Sequence, residues 1–302
     1  MADRYLVSDN ETLKWQNGDM AYCLHIMHDD DAESPINDET LVKLAFFGRN
    51  HSLGNDPRSK HMGQNEYMVQ LCRDHVEPAD VIAKIKANQL NGLQVMNERM
   101  LPETNETLIT LRDVTTNDIF EDVCAGAVID ILADNLTADH CRTLLQDVVF
   151  ATPIWVYEHS GISIKVGDRT YPYNDQWDSY YGGIAAITKA AVIENFQDTE
   201  NWQRKASECI QNVIETYDSY LTGDVWGYQL YELDMETYKP DSSEPNWNET
   251  ESVWGFIDCD IMKSGLAESV GEGLTDAIRE DRVTSGTVQT ITVVTHIFGN
   301  PE

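Results

Sequence analysis

The chain is predicted to be an α+β protein in two parts, with antiparallel sheets packed by amphipathic helices, and three observations carry that expectation. Short apolar or alternating runs of strand length are interleaved with stretches whose apolar residues recur at helical spacing. At 302 residues the chain exceeds the size at which one hydrophobic core stops growing, which predicts two domains, 1–150 and 151–302. A hydrophobic fraction of 41%, with seven Trp, thirteen Tyr and seven Phe, supplies core material that a disordered acidic chain lacks.

In the first half, residues 21–27 form an apolar, strand-like run, followed by an acidic turn from Asp29 to Glu33 and a second apolar run over 41–47. Both read as strands. Residues 48–64 are rich in Gly, Asn, Ser, His and Pro, the composition of a long loop. After Pro78, the spacing of Val81, Ile82, Ile85 and Leu90 predicts a helix, with proline at a position that helix starts tolerate. Ile119, Phe120, Val123, Ala127, Val128, Ile131 and Leu132 predict a longer amphipathic helix over 117–133. Thr137 caps a further helix over 138–149, with Asp139 in its first turn.

The second half opens with residues 153–157, a His159-Ser160-Gly161 turn and the period-two run 162–166, which together predict a hairpin. Residues 184–188 read as a strand running into a helix over 189–196. A long helix over 199–221 carries Trp202, Ala206, Ile210, Val213, Ile214 and Tyr217 on one face and ends at Gly223. Strands over 225–233 and 252–257 are expected to pair across a polar loop containing Pro240 and Pro245. The Thr-, Val- and Ile-rich stretch 284–298 is the clearest strand in the chain, and at a sheet edge it would support a homo-oligomer.

Fifty-two acidic residues against twenty-one basic ones give a net charge of −31, and the two halves carry 26 acidic residues each. Such a field repels nucleic acid and anionic membranes, because phosphate binding depends on Lys and Arg displacing counterions. Direct nucleic-acid binding is therefore not expected. The acid is compatible with plain solubility, a basic protein partner, imitation of nucleic-acid charge or adaptation to high salt; the many Asn, Met and Ile residues weigh against the last. The N-terminal residues form no export signal and no run of eighteen apolar residues occurs, so no membrane span and a cytoplasmic location are expected. Six scattered cysteines without paired spacing read as reduced thiols.

Residue patterns that could carry chemistry are weak. Cys23, His25 and His28 hold metal-ligating atoms, but a strand sends His28 to the face opposite Cys23 and His25, and no second cysteine pair follows. Glu158-His159-Ser160 are adjacent in a turn and cannot form the nucleophile, base and orienting group of a triad. No catalytic site, cofactor or metal site is expected on these grounds. The aromatic residues beside turns are more informative, since Trp and Tyr favour binding hot spots: Trp177, Tyr180, Tyr181, Trp226 and Trp247 are the candidate partner contacts.

Four segments carry a resemblance: Trp155-Val156-Tyr157-Glu158-His159-Ser160-Gly161-Ile162-Ser163; Gln176-Trp177-Asp178-Ser179; the run from Glu215 through Asp218-Ser219-Tyr220 to Val225-Trp226-Gly227-Tyr228; and Ser252-Val253-Trp254-Gly255-Phe256. In order and spacing, residues 152–262 resemble a widespread set of small proteins carried by phages and mobile elements. Where that set continues with Gly-Gln after Trp177-Asp178-Ser179, this chain has Tyr180-Tyr181-Gly182-Gly183. In size, acidity and two-part build the whole chain resembles phage inhibitors of bacterial defence, the Gabija anti-defence proteins among them. That resemblance implies a non-catalytic, oligomeric protein that surrounds a nuclease–ATPase defence complex in the cytoplasm of the infected host. Two other classes remain: an assembly component of a virion or mobile element, joined through the C-terminal strand, and a metal-assisted hydrolase with paired carboxylates, first sought at Asp29 to Glu33.

Overall fold

The computed structural model describes residues 4–47, 53–167, 177–197, 200–236, 247–271 and 273–287. In chain order the strands are β1 (Glu11–Asn17), β2 (Met20–His28), β3 (Lys43–Phe46), β4 (Leu93–Met100), β5 (Thr107–Asp113), β6 (Ile119–Cys124), β7 (Val149–Glu158), β8 (Ile162–Val166), β9 (Ser179–Thr188), β10 (Val225–Asp234), β11 (Asn248–Ile257) and β12 (Thr284–Thr287). The helices are α1 (Gln64–His75), α2 (Pro78–Lys86), α3 (Val128–Ile131), α4 (Ala138–Leu145), α5 (Lys189–Phe196), α6 (Trp202–Leu221), α7 (Leu266–Val270) and α8 (Leu274–Arg279). The fold is α+β, with antiparallel sheets and helices packed against them.

The chain divides into two compact units, but not at residue 150. One unit comprises residues 1–35, 161–163 and 215–302, the other residues 36–160 and 164–214. Strand pairing overrides sequence order: β2 from the start of the chain pairs along its length with β10, and β3 pairs with β9. The expected boundary between 1–150 and 151–302 is corrected accordingly.

The first unit is built on a five-stranded sheet in the order β11-β10-β2-β1-β12. Its core joins Leu13, Trp15, Leu24, Ile26, Trp226 and Tyr228 of the sheet to apolar residues of α7 and α8. Trp15 stacks on Tyr22, its partner in the β1/β2 register, with ring centroids 5.2 Å apart. The described part of the predicted 284–298 strand is β12, outermost in this sheet and paired with β1; residues 288–298 lie outside the described residues.

The second unit holds a four-stranded sheet, β3-β9-β7-β8, and a three-stranded one, β4-β5-β6. One core of this unit draws on α1 to α4, on Ile109 and Leu111 of β5, and on Ile184 and Ala186 of β9. Thr188 caps α5 by accepting from the Ala191 amide, and Thr137 caps α4 by accepting from the His140 amide. The helix after Pro78 and the hairpin of β7 and β8 stand where the sequence placed them.

Two elements differ from expectation. Residues 117–133 are not one helix: β6 occupies the first part, and a 3-10 turn over Ala125–Ala127 leads into the four-residue α3. The cause is a bulge. Ile109 pairs with Val123 and Leu111 with Phe120, a register shift, with Asp122 at φ +51°. Phe120 and Val123 thereby oppose two residues on one face of β5, and a strand acquires the three-residue apolar spacing of a helix. Helix α4 ends at Leu145 rather than 149, because Val149 begins β7, where it pairs with Thr188.

Candidate partner-binding surfaces

The four resemblance segments fall into two pairs, each brought together by one strand pairing. In the second unit, β7 lies beside β9 so that Trp155 opposes Tyr181, Val156 opposes Tyr180 and Tyr157 opposes Ser179. Just before β9 stands Trp177, 89% exposed. The adjoining Asp178 accepts at Oδ2 from His159 Nδ1 at 2.7 Å, and its carbonyl accepts from the Glu158 amide at 2.7 Å. The turn after β7 and the residue after Trp177 are thus tied together, and the indole stands at the end of an ordered strand pair.

Tyr180 and Tyr181 are half-buried. The Tyr180 hydroxyl donates to Glu158 Oε2 at 3.2 Å. Tyr181 packs edge-on against Trp155 at 5.9 Å and lies against the core of the unit, where burial pushes its phenol up. The two glycines that follow, Gly182 and Gly183, have a steric reason. A Cβ on Gly182 would stand 2.2 Å from Val156 Cγ2, and one on Gly183 would stand 2.3 Å from the Ala45 carbonyl oxygen of the neighbouring strand.

In the first unit, the register of β10 and β11 sets Trp226 opposite Phe256, Gly227 opposite Trp254 and Tyr228 opposite Val253. The Trp254 ring covers Gly227 so closely that a Cβ there would stand 2.1 Å from it, and 44% of Trp254 remains exposed. Trp226 does not serve as a surface contact. It is 2% exposed, its Nε1 donates to Asp224 Oδ1 at 2.7 Å, and its ring lies 3.9 Å from that of His28, because strand alternation turns it into the core. Trp247 is half-buried against Ala21 and Leu233, and its buried Nε1 has no hydrogen-bond partner among the described residues.

The one grouping of metal-ligating side chains among the described residues is Asp224, Asp258 and Cys259, with ligand atoms within 4.8 Å of one another, and not the turn from Asp29 to Glu33. It sits where β10 begins and β11 ends, and Asp258 adopts φ +104°, which non-glycine residues rarely adopt. Both carboxylates already have partners. Asp258 Oδ1 accepts from the Asp260 amide, Oδ2 is paired with Lys263, and Asp224 holds the Trp226 indole. Burial pushes the Cys259 thiol up, and Asp224 and Asp258 add to it, while the bond to Asp258 raises the Lys263 amine. A cation would have to displace that lysine, so the grouping works as a clasp at the sheet end. On β2, Cys23 is buried, its thiol pushed up to about 11 by burial, and the His25 ring lies tilted against that of Tyr231 at 5.0 Å.

Sequence reasoning passed over one further site. A cleft of about 770 Å³ opens in the second unit between β3, the turn over Pro57–His61, α1 and the end of β9, and it includes Asp56, Arg58 and Tyr67. Asp56 and Arg58 come from the stretch read as a long loop, where the Asp-Pro-Arg signature of a capped turn was the available signal. No protein-family model, curated protein or solved structure matches the chain.

Proposed function

We propose that this chain is a non-catalytic, acidic binding protein that inhibits a bacterial defence complex by covering its basic, DNA-facing surface. The observation that carries the reading is the combination of Trp177, 89% exposed beside an ordered strand pair, with a net charge of −31. An exposed indole next to a fixed backbone offers a large contact area at low entropic cost, and the acid supplies steering toward a basic surface. The resemblance to phage inhibitors of defence extends the proposal to a nuclease–ATPase complex of the Gabija kind, in the cytoplasm of the infected host, without direct binding to nucleic acid. No helix among the described residues is long and apolar enough to cross a membrane.

The test is plating efficiency of phage on hosts carrying a panel of defence operons, with and without the chain expressed. Restored plating on a Gabija-bearing host, and loss of that effect with Trp177→Ala, is the expected result. Unchanged protection by every operon in the panel contradicts the reading.

A second reading has its own observation. Among the described strands β12 is the outermost of its sheet, and Thr284 and Ser285 are exposed on it. An outer strand can pair with the same strand of a second copy, which supports a homo-oligomer in the inhibitor and equally in an assembly protein of a virion or mobile element. Light scattering of the purified chain separates them from a monomer: one mass of a single protomer at all concentrations counts against both.

A further inference from the structure

We propose that the cleft of the second unit seats a guanidinium- or ammonium-bearing side chain from a basic segment of a partner protein. The proposal rests on the binding reading above and names a contact for it. Its volume of about 770 Å³ falls within the range of about 300–1,000 Å³ typical of ligand sites. That space holds a long side chain together with its flanking backbone.

The floor is apolar. Leu71, Val149 and Ile187 are buried beneath the cleft and offer a surface for an aliphatic stem. The charged lining is mostly acidic: Asp38, Glu39, Asp56 and Asp74 against Lys43 and Arg58. Arg58 is already committed, since its Nε and Nη2 donate to Asp56 Oδ1 and Oδ2 at 3.1 and 3.2 Å, and Asp74 stands 4.0 Å from its Nη1. Lys43 is turned to the Asp38 carbonyl. An anion entering the cleft would meet an excess of carboxylates and no uncommitted cation among these two, whereas a cation finds Asp38 and Glu39 at the mouth.

The independent mark of a ligand is Tyr67. It is 2% exposed and lines the cleft, yet its hydroxyl has no hydrogen-bond partner among the described residues, and it is not among the atoms sealed from solvent. Phe47 fixes the ring at 5.7 Å. Burial pushes the phenol up, and Asp56 and Asp74 push it further, so it stays neutral and can accept from a cationic N–H. A neutral hydroxyl held within an apolar wall beside carboxylates matches a guanidinium or ammonium head, whose N–H groups need acceptors on several sides.

Calorimetric titration of the full-length chain at low salt tests this with acetyl-Gly-Arg-Gly-amide. Its neutral isostere, with citrulline for arginine, is the control. The arginine peptide is expected to bind at least tenfold more tightly than the citrulline one. Tyr67→Phe, which keeps the ring, is expected to weaken binding about threefold to tenfold. The exposed pair Asp38→Asn with Glu39→Gln is expected to weaken it by about the same factor. Equal affinity for the two peptides, no detectable heat, or binding indifferent to both variants overturns the proposal. Spermidine displacing the peptide while binding far more tightly assigns the cleft to free polyamines and overturns it as well. Because no defence complex is in the cell, a positive titration with unaltered phage plating sinks the inhibitor reading alone, and the reverse pair of results sinks the cleft alone.

Discussion

Gly227 has no side chain because the Trp254 ring fills the space where one would stand, and the pair joins β10 to β11. Gly227→Ala is expected to displace that ring and to lower stability by about 1–3 kcal/mol, read by chemical denaturation. Because Trp177 is 89% exposed, Trp177→Ala is expected to change stability by less than about 0.5 kcal/mol while removing at least about 2 kcal/mol of partner affinity. Asp260 is buried and accepts from Arg4 Nε and from the amides of Tyr5 and Met262. Asp113 accepts from the amides of Thr115 and Thr116 and from Asn135. Burial alone would raise both carboxyls, but these donors outweigh it and hold each below the ordinary 3.8. A folded-state value below the unfolded one means that the stabilisation is complete above the unfolded value and is lost as pH falls through the folded one. The midpoint of thermal unfolding is therefore expected to fall progressively below about pH 5, and Asp260→Asn to flatten that dependence.

At the scale of elements, the sequence was legible where one local signal decided the outcome. Thr137 fixed the start of α4, and Gly223, at φ +78°, the end of the long helix α6. Thr137→Ala is expected to cost about 1 kcal/mol, measured against wild type in urea. Legibility failed where a distant partner decided. Residues 119–124 carry helical spacing because the bulge opposite Ile109 and Leu111 turns Phe120 and Val123 to one side, and the position of that bulge is set by β5. The boundary at 150 failed for the same reason, since β2 and β10 are neighbours that some two hundred residues of chain separate. Among the candidate contacts, residue type located all five aromatics but did not separate Trp177, in a turn, from Trp226, inside a strand whose alternation faces the core. Tyr67 was passed over because its spacing is that of an ordinary core position of α1.

At the scale of the whole molecule, charge dominates. With −31 spread over both halves, association with a basic surface depends on long-range attraction that salt screens within about 8 Å at physiological ionic strength. On the proposed function, steering would act on the rate of encounter and the exposed indole on the lifetime of the complex, so the two are separable by experiment. The most direct measurement is recovery of a defence complex on the immobilised chain from cells expressing that complex, washed at low and high salt, for wild type and for Trp177→Ala. Stable recovery at low salt, reduced by high salt and abolished by Trp177→Ala, is the predicted result. Recovery of no defence protein at either salt concentration, or recovery that neither salt nor Trp177→Ala diminishes, would contradict an acidic inhibitor anchored by its exposed tryptophan.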